Sequence, residues 1–216
     1  MADIAAADKV QEYVQSFVNE PSEFRKVREE SDAHREAHGR DCTCYPSSPL
    51  MGKILQLLVR VLSAGRVLEL GTGLGYSTLW IAKALEVGAI VETIESDRQH
   101  AQLARKNFET QGFSKKARVL EGDAKRILYS LKGPYDLIFD DCTYSGKPEY
   151  YEEFPRLVRK NGILWTANFG GLQDWIRERR EPWVMGMQEY AIHLRKDQRF
   201  ETVILPYLWD GVSVRV

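Results

Sequence analysis

The chain reads as an α/β protein with a mostly parallel sheet and helices on both faces. Short β-type runs alternate with helix-type segments between residues 66 and 166. Crossovers of this kind are right-handed and place successive strands parallel. A glycine-rich turn, GTGLG at 71–75, joins the first run to the helix after it. The tail differs, because two β stretches at 200–205 and 211–216 flank a proline-containing turn and predict an antiparallel hairpin on the sheet edge.

Val10, Tyr13, Val14, Phe17 and Val18 fall on one helical stripe, and Pro21 ends that helix near Asn19. The stripe has no evident partner within the chain and is expected in a homodimer interface. Residues 22–44 are dense in charge, with Phe24 and Val27 the only large apolar residues, and predict a solvated helix running into a loop. Pro49 suits a first helical turn, and Leu50, Ile54, Leu57, Leu58, Val61 and Leu62 form the face of a helix that stops before Gly65. Strand 66–70 and a helix at about 75–86 follow, then strand 90–95. The next helix, about 98–111, is bracketed by Asp97 as N-cap and Gly112 as terminator. Strand 118–121, a short helix near 124–131, strand 135–140, a helix at about 147–158 and strand 162–166 complete the alternation, and a long helix near 182–196 leads into the hairpin. The organisation expected is a helical cover or dimerisation segment, 1–45, ahead of a main domain, 46–216.

The 216 residues suit a single core. Lys and Arg number 30 against 31 Asp and Glu, for a net charge of −1, which argues against extended nucleic-acid binding. No apolar run approaches the roughly 18 residues of a membrane span. The opening MADIAAADKVQEY has no basic segment ahead of an apolar one, so a cytoplasmic location is expected. Three cysteines, Cys42, Cys44 and Cys142, are too few and odd in number for a disulfide framework, which fits the same compartment.

The most informative stretch is VLELGTGLGYS, 67–77. Gly71, Gly73 and Gly75 allow a tight turn and close approach of backbone to a ligand. A dinucleotide loop of GxGxxG form would need glycine where Tyr76 stands, and a phosphate-cradling loop would need a lysine that does not follow. Glu69, two residues before the first glycine, would repel a phosphate but suits a cationic, amino-acid-bearing nucleoside such as a sulfonium. Glu95 ends the second strand, 24 residues after Gly71, where a carboxylate accepts both ribose hydroxyls; a solvated strand-end carboxylate is the plainer reading. Asp123 is placed to accept from an adenine amino group and to cap a helix.

VLELGTGLGYS, VETIESD (91–97), EGDA (121–124), YDLIFDD (135–141) and DQRFETVILPYLWDGVSV (197–214) together resemble the class I S-adenosylmethionine-dependent O-methyltransferases of the catechol O-methyltransferase type. The resemblance covers about residues 45–216. It implies a Rossmann-like, seven-stranded sheet whose last strand is antiparallel, a helical cover over the site, and a small hydroxylated acceptor, catechol- or phenol-like. It also implies Ser47 and Ser48 beside the cofactor, Glu69, Gly71, Tyr76 and Ser77 around its methionine part, Glu95 and the adjoining Ser96 at the ribose, Asp123 and Ala124 at the adenine, and Asp141 between cofactor and acceptor.

Members of this family hold a divalent ion, Mg or Ca, on two aspartates and an asparagine. Here Asp141 and Asn168 match the outer two positions, while Ala167 stands at the middle one. Losing a carboxylate removes charge that offsets dehydration of a hard cation, so ion affinity is expected to fall. The family lysine that helps deprotonate the acceptor is replaced by Tyr144, with Lys147 on the same loop. Candidate bases are Asp141, Tyr144, Cys142 or a histidine from the cover, and Tyr144 also reads as an aromatic shaping the pocket. Asp140 and Asp141 should point to opposite faces of the strand. His34, His38, Cys42 and Cys44 offer four N/S groups, read either as a solvated helix face, as part of a substrate pocket, or as a zinc site. Trp175 and Trp209 lie in segments expected to rim the pocket. Two rival functions remain: a tRNA hydroxyl methyltransferase using the Arg177, Arg179, Arg180 run, and a cofactor-binding module without catalysis.

Overall fold

Val67, Leu68 and Leu70 of β1 (Arg66–Leu70) are fully buried, as a strand covered on both faces requires. β2 (Ile90–Glu95), β3 (Ala117–Glu121), β4 (Tyr135–Asp140), β5 (Val158–Thr166), β6 (Phe200–Leu205) and β7 (Asp210–Arg215) join it in the order β3-β2-β1-β4-β5-β7-β6. The first five are parallel, and β7 runs antiparallel to both β5 and β6. The C-terminal hairpin is therefore present, with its last strand inserted between β5 and β6. This computed structural model describes residues 13–39, 42–142, 150–167, 169, 178, 180–205 and 210–216.

Strand alternation sends successive side chains to opposite layers. On one side Val67, Val91 and Leu137 meet Phe24 of α1 (Ser22–His38), Leu55 of α2 (Pro49–Val61), Trp80 of α3 (Tyr76–Ala84) and Phe108 of α4 (Arg98–Thr110). On the other, Leu68, Ile138 and Leu164 meet Leu128 of α5 (Ala124–Ser130), Phe154 of α6 (Phe154–Leu157) and Tyr190 of α7 (Pro182–Lys196). Ser48, Asp97 and Asp123 start α2, α4 and α5 by accepting from the amides of Met51, His100 and Lys125 at 3.1, 2.9 and 2.7 Å.

Three elements differ from the sequence expectation. α1 is not merely solvated, because Phe24, Val27 and Ser31 are buried and Phe24 packs edge-on against Trp80 at 5.5 Å between centroids. In α2 the buried face is Met51, Gly52, Leu55, Gln56 and Val59, whereas Leu57 and Val61 are exposed. Lys53, Gln56 and Arg60 give this helix a polar side, yet Gln56 is buried, so the face that docks is turned from the one periodicity selects. Gly52 chooses it, since a β-carbon there would sit 2.4 Å from the Trp80 ring. Of the helix expected at about 147–158, residues 147–149 lie outside the described residues; Tyr150 is helical, a 3₁₀ turn, Tyr151–Glu153, and α6 follow, and β5 already begins at Val158.

Register fixes the site. Leu70 pairs with Ile94 and Asp140, Glu95 with Glu121, and Asp140 with Thr166. One row across the sheet's C-terminal edge therefore carries Glu121, Glu95, Gly71, Asp141 and Ala167. The chain order reverses direction between β1 and β4, and ligands of open α/β sheets bind at such a switch point.

Candidate active site

A cleft opens at this edge, between the glycine loop and the connection from α1 to α2. Gly71 and Gly75 both adopt the left-handed region, with φ of 94° and 91°. A β-carbon on Gly71 would meet the Asp141 carbonyl oxygen at 2.7 Å, and one on Gly75 the Phe108 ring at 2.4 Å. These two glycines are thus required by the protein's packing on itself, where the sequence suggested ligand approach. Gly73 faces the cleft, and its amide donates to Glu95 Oε2 at 2.8 Å.

Glu95 is held from two sides, since the Asp97 amide donates to its Oε1 at 2.9 Å. Burial raises its pKa, and the two backbone amides oppose that without cancelling it. The result is an anchored carboxylate on the cleft wall, suited to accepting hydroxyls of a bound sugar. Ser96, Ala124, Tyr76 and Ser77 also line the cleft. The Tyr76 hydroxyl donates to Glu20 Oε1 at 2.6 Å, and Arg28 holds the same carboxylate at 2.9 Å, so the start of α3 is tied to the turn preceding α1.

Four of the cofactor residues expected from the sequence do not line the cleft. Ser48 and Asp123 serve as helix caps, and Gly75 faces Phe108. Glu69 is completely buried beneath the loop, where Thr78 and Thr93 donate to its Oε2, the latter at 2.6 Å. Burial raises its pKa, against hydrogen bonds from Ser77, Thr78 and Thr93. Its carboxylate fixes the first turn of α3.

Ser31 from α1 and Thr43, Cys44, Tyr45, Pro46 and Ser47 close the cleft from the other side. Apart from Ser47, sequence reasoning did not place these residues in a cofactor site, because their place depends on how α1 docks. Tyr45 is 66% exposed at the rim, with the Arg35 guanidinium over its ring at 5.0 Å. Burial pushes the Cys44 thiol pKa up to about 11, so it stays protonated.

Ser47 donates to Asp141 Oδ2 at 3.4 Å, which joins the cover to the exit of β4. Asp140 points the other way as expected: it is fully buried, and Tyr150 donates to its Oδ1 at 3.3 Å. Ala167 is buried beside β4, its amide donating to the Asp140 carbonyl at 3.0 Å. Among the described residues the Asp141 end of the cleft offers a single carboxylate and, at 167, a methyl group, which is a poor donor set for a hard divalent ion. Asn168, Tyr144, Lys147, Trp175, Arg177, Arg179 and Trp209 lie outside the described residues. His34 and His38 do not line the cleft.

Residues 31–215 match the family model described as O-methyltransferase. The chain belongs to this O-methyltransferase family. A protein named catechol O-methyltransferase from Niastella koreensis is 33% identical over 180 residues, 78% of this chain and 80% of that one. An O-methyltransferase from Bacillus cereus, solved in complex with SAH, superposes with a TM-score of 0.81 at 27% identity and covers 96% of this chain and 97% of its own. TomG from Streptomyces achromogenes, an O-methyltransferase solved with SAM, gives 0.80 at 27% identity and 96% coverage of each chain. The seven-stranded, Rossmann-like sheet of this O-methyltransferase is thus the architecture the sequence led one to expect.

Proposed function

We propose that the cleft binds S-adenosylmethionine and that the enzyme methylates a hydroxyl of a small aromatic acceptor, catechol- or phenol-like. The observation that carries this reading is the row of strand ends that brings Gly71, Gly73, Glu95 and Asp141 around one cleft at the switch point. When bound, the cofactor supplies a methyl group already activated on a sulfonium. Glu95 would accept the ribose hydroxyls with Ser96 beside them, Ala124 would flank the adenine, and Tyr76 and Ser77 would border the methionine part. Asp141 stands at the opposite end of the cleft, where it would orient the acceptor hydroxyl and take its proton as the methyl group is transferred. Tyr45 at the rim supplies an aromatic face for the acceptor. Because Ala167 stands where a carboxylate ligand is expected, no step is assigned to a divalent ion.

A homodimer is inferred from apolar side chains on the surface of a single chain: Tyr13, Phe17, Leu57 and Val61 are 65, 72, 48 and 82% exposed. Three free cysteines, two of them buried, suit a reducing cytoplasm. Among the described residues no helix is long and apolar enough to cross a membrane.

The test is methyl transfer over catechols, monophenols and aliphatic hydroxyls, first with EDTA and then with magnesium or calcium. Transfer to an aromatic hydroxyl that survives EDTA is expected. Activity abolished by EDTA and restored by magnesium would overturn the ion-independent reading. Cofactor binding without transfer to any acceptor would favour a non-catalytic module, and transfer to RNA alone would favour the nucleic-acid enzyme. Ala167→Asp is expected to raise ion affinity, and to raise turnover only with vicinal diols.

A further inference from the structure

Outside the cleft, three side chains from separate parts of the chain converge. His34 projects from α1, Cys42 from the connection to α2, and His100 from the first turn of α4. His100 Nε2 lies 3.2 Å from His34 Nε2 and 3.7 Å from Cys42 Sγ, and the three ligand atoms all fall within 4.8 Å of one another. Cys42 and His100 are buried, while His34 is half-buried. A hydrogen bond between two imidazoles satisfies only two partners, yet three potential donors to a metal point at one place.

We propose that His34, Cys42 and His100 bind a borderline-soft divalent cation, zinc by the chemistry of this N₂S set. Zinc bonds of about 2.0–2.1 Å to nitrogen and about 2.3 Å to sulfur, arranged tetrahedrally, separate two nitrogens by about 3.3 Å and a nitrogen from a sulfur by about 3.6 Å. The two observed separations, 3.2 and 3.7 Å, lie close to those values, and the third pair lies within 4.8 Å. Both rings also have neighbours behind them. His38 Nδ1 contacts the His34 carbonyl at 2.8 Å and its ring stacks on that of His34 at 4.1 Å, while the Glu95 carboxylate stands near the other ring, its Oε1 4.0 Å from His100 Nδ1 and so beyond hydrogen-bond distance. A four-coordinate zinc on these three ligands would take water as its fourth. Binding releases the Cys42 thiol proton to solvent. The sequence grouping of His34, His38, Cys42 and Cys44 is thereby changed: His38 supports, Cys44 faces Gly73 in the cleft wall, and His100 takes the place of both. The ion would staple α1 to α4 and order the residues 43–47 that close the cleft.

The experiment is a titration of chelator-dialysed full-length protein with cobalt(II), read by absorption, followed by displacement with zinc. One equivalent is expected to produce a thiolate-to-cobalt charge-transfer band with the visible bands of a four-coordinate ion, and zinc is expected to abolish both. Cys42→Ser should remove the charge-transfer band, and His34→Gln, a change on a helix surface with folding checked by circular dichroism, should weaken binding roughly tenfold or more. Cys142→Ser should leave the band intact. No thiolate band at one equivalent, or a band undiminished in both Cys42→Ser and His34→Gln, would overturn the site.

Discussion

Gly71 shows how one residue sets both fold and site. The side of it where a β-carbon would stand abuts the Asp141 backbone, so β1 and β4 leave the sheet in contact and the two ends of the cleft are held in register. Gly71→Ala combines a left-handed conformation, costing roughly 1–2 kcal/mol, with overpacking against backbone, costing roughly 1–3 kcal/mol. Urea unfolding should show a loss of that combined size, and an unchanged midpoint would contradict the packing. Asp141→Ala should lower kcat by roughly 10²–10⁴-fold, as loss of a positioned base does, with little effect on cofactor affinity. Glu95 and the glycine pattern were legible in the sequence because each combines a distinctive residue type with a fixed offset from a strand. Ser31, Thr43 and Tyr45 were not, since ordinary residues acquire a place in the cleft only through a long-range contact. The same applies to His100, which sits 58 residues from Cys42 and carries no local signal.

At the scale of elements, the strands and the capped helices could be read from buried runs and from Ser48, Asp97 and Asp123, while the faces of α1 and α2 could not. A charged helix with only two large apolar residues looks solvated, yet Phe24 and Val27 are buried where it docks. Phe24→Ala should cost roughly 3–5 kcal/mol, measurable by thermal or urea denaturation. The docking also responds to acid. Burial raises the Glu20 pKa, but hydrogen bonds from Arg28 and Tyr76, and the Arg28 charge, outweigh burial and hold it below the ordinary 4.5. A depressed carboxylate contributes stability that is fully present above its ordinary pKa and is lost as pH falls through its folded value. Limited proteolysis of the segment around α1 should therefore accelerate as pH drops below 4.5, and Glu20→Gln should be cut readily at neutral pH as well. Equal cleavage rates in the two proteins at neutral pH would count against this anchor.

For the whole molecule, sheet order aligns the strand ends and so creates the cleft, and the surface left apolar predicts self-association. Light scattering at micromolar concentration should return twice the 24.8 kDa chain mass; a monomer would contradict the homodimer. The central claim, that the cleft at the β1/β4 switch point holds S-adenosylmethionine with its ribose on Glu95, is tested most directly by calorimetric titration with S-adenosylhomocysteine. The account predicts one site per chain and a loss of about 1.5–3 kcal/mol in Glu95→Ala, as expected for hydrogen bonds to a charged group. Unchanged affinity in that variant, or selective binding of a nicotinamide dinucleotide in its place, would contradict it.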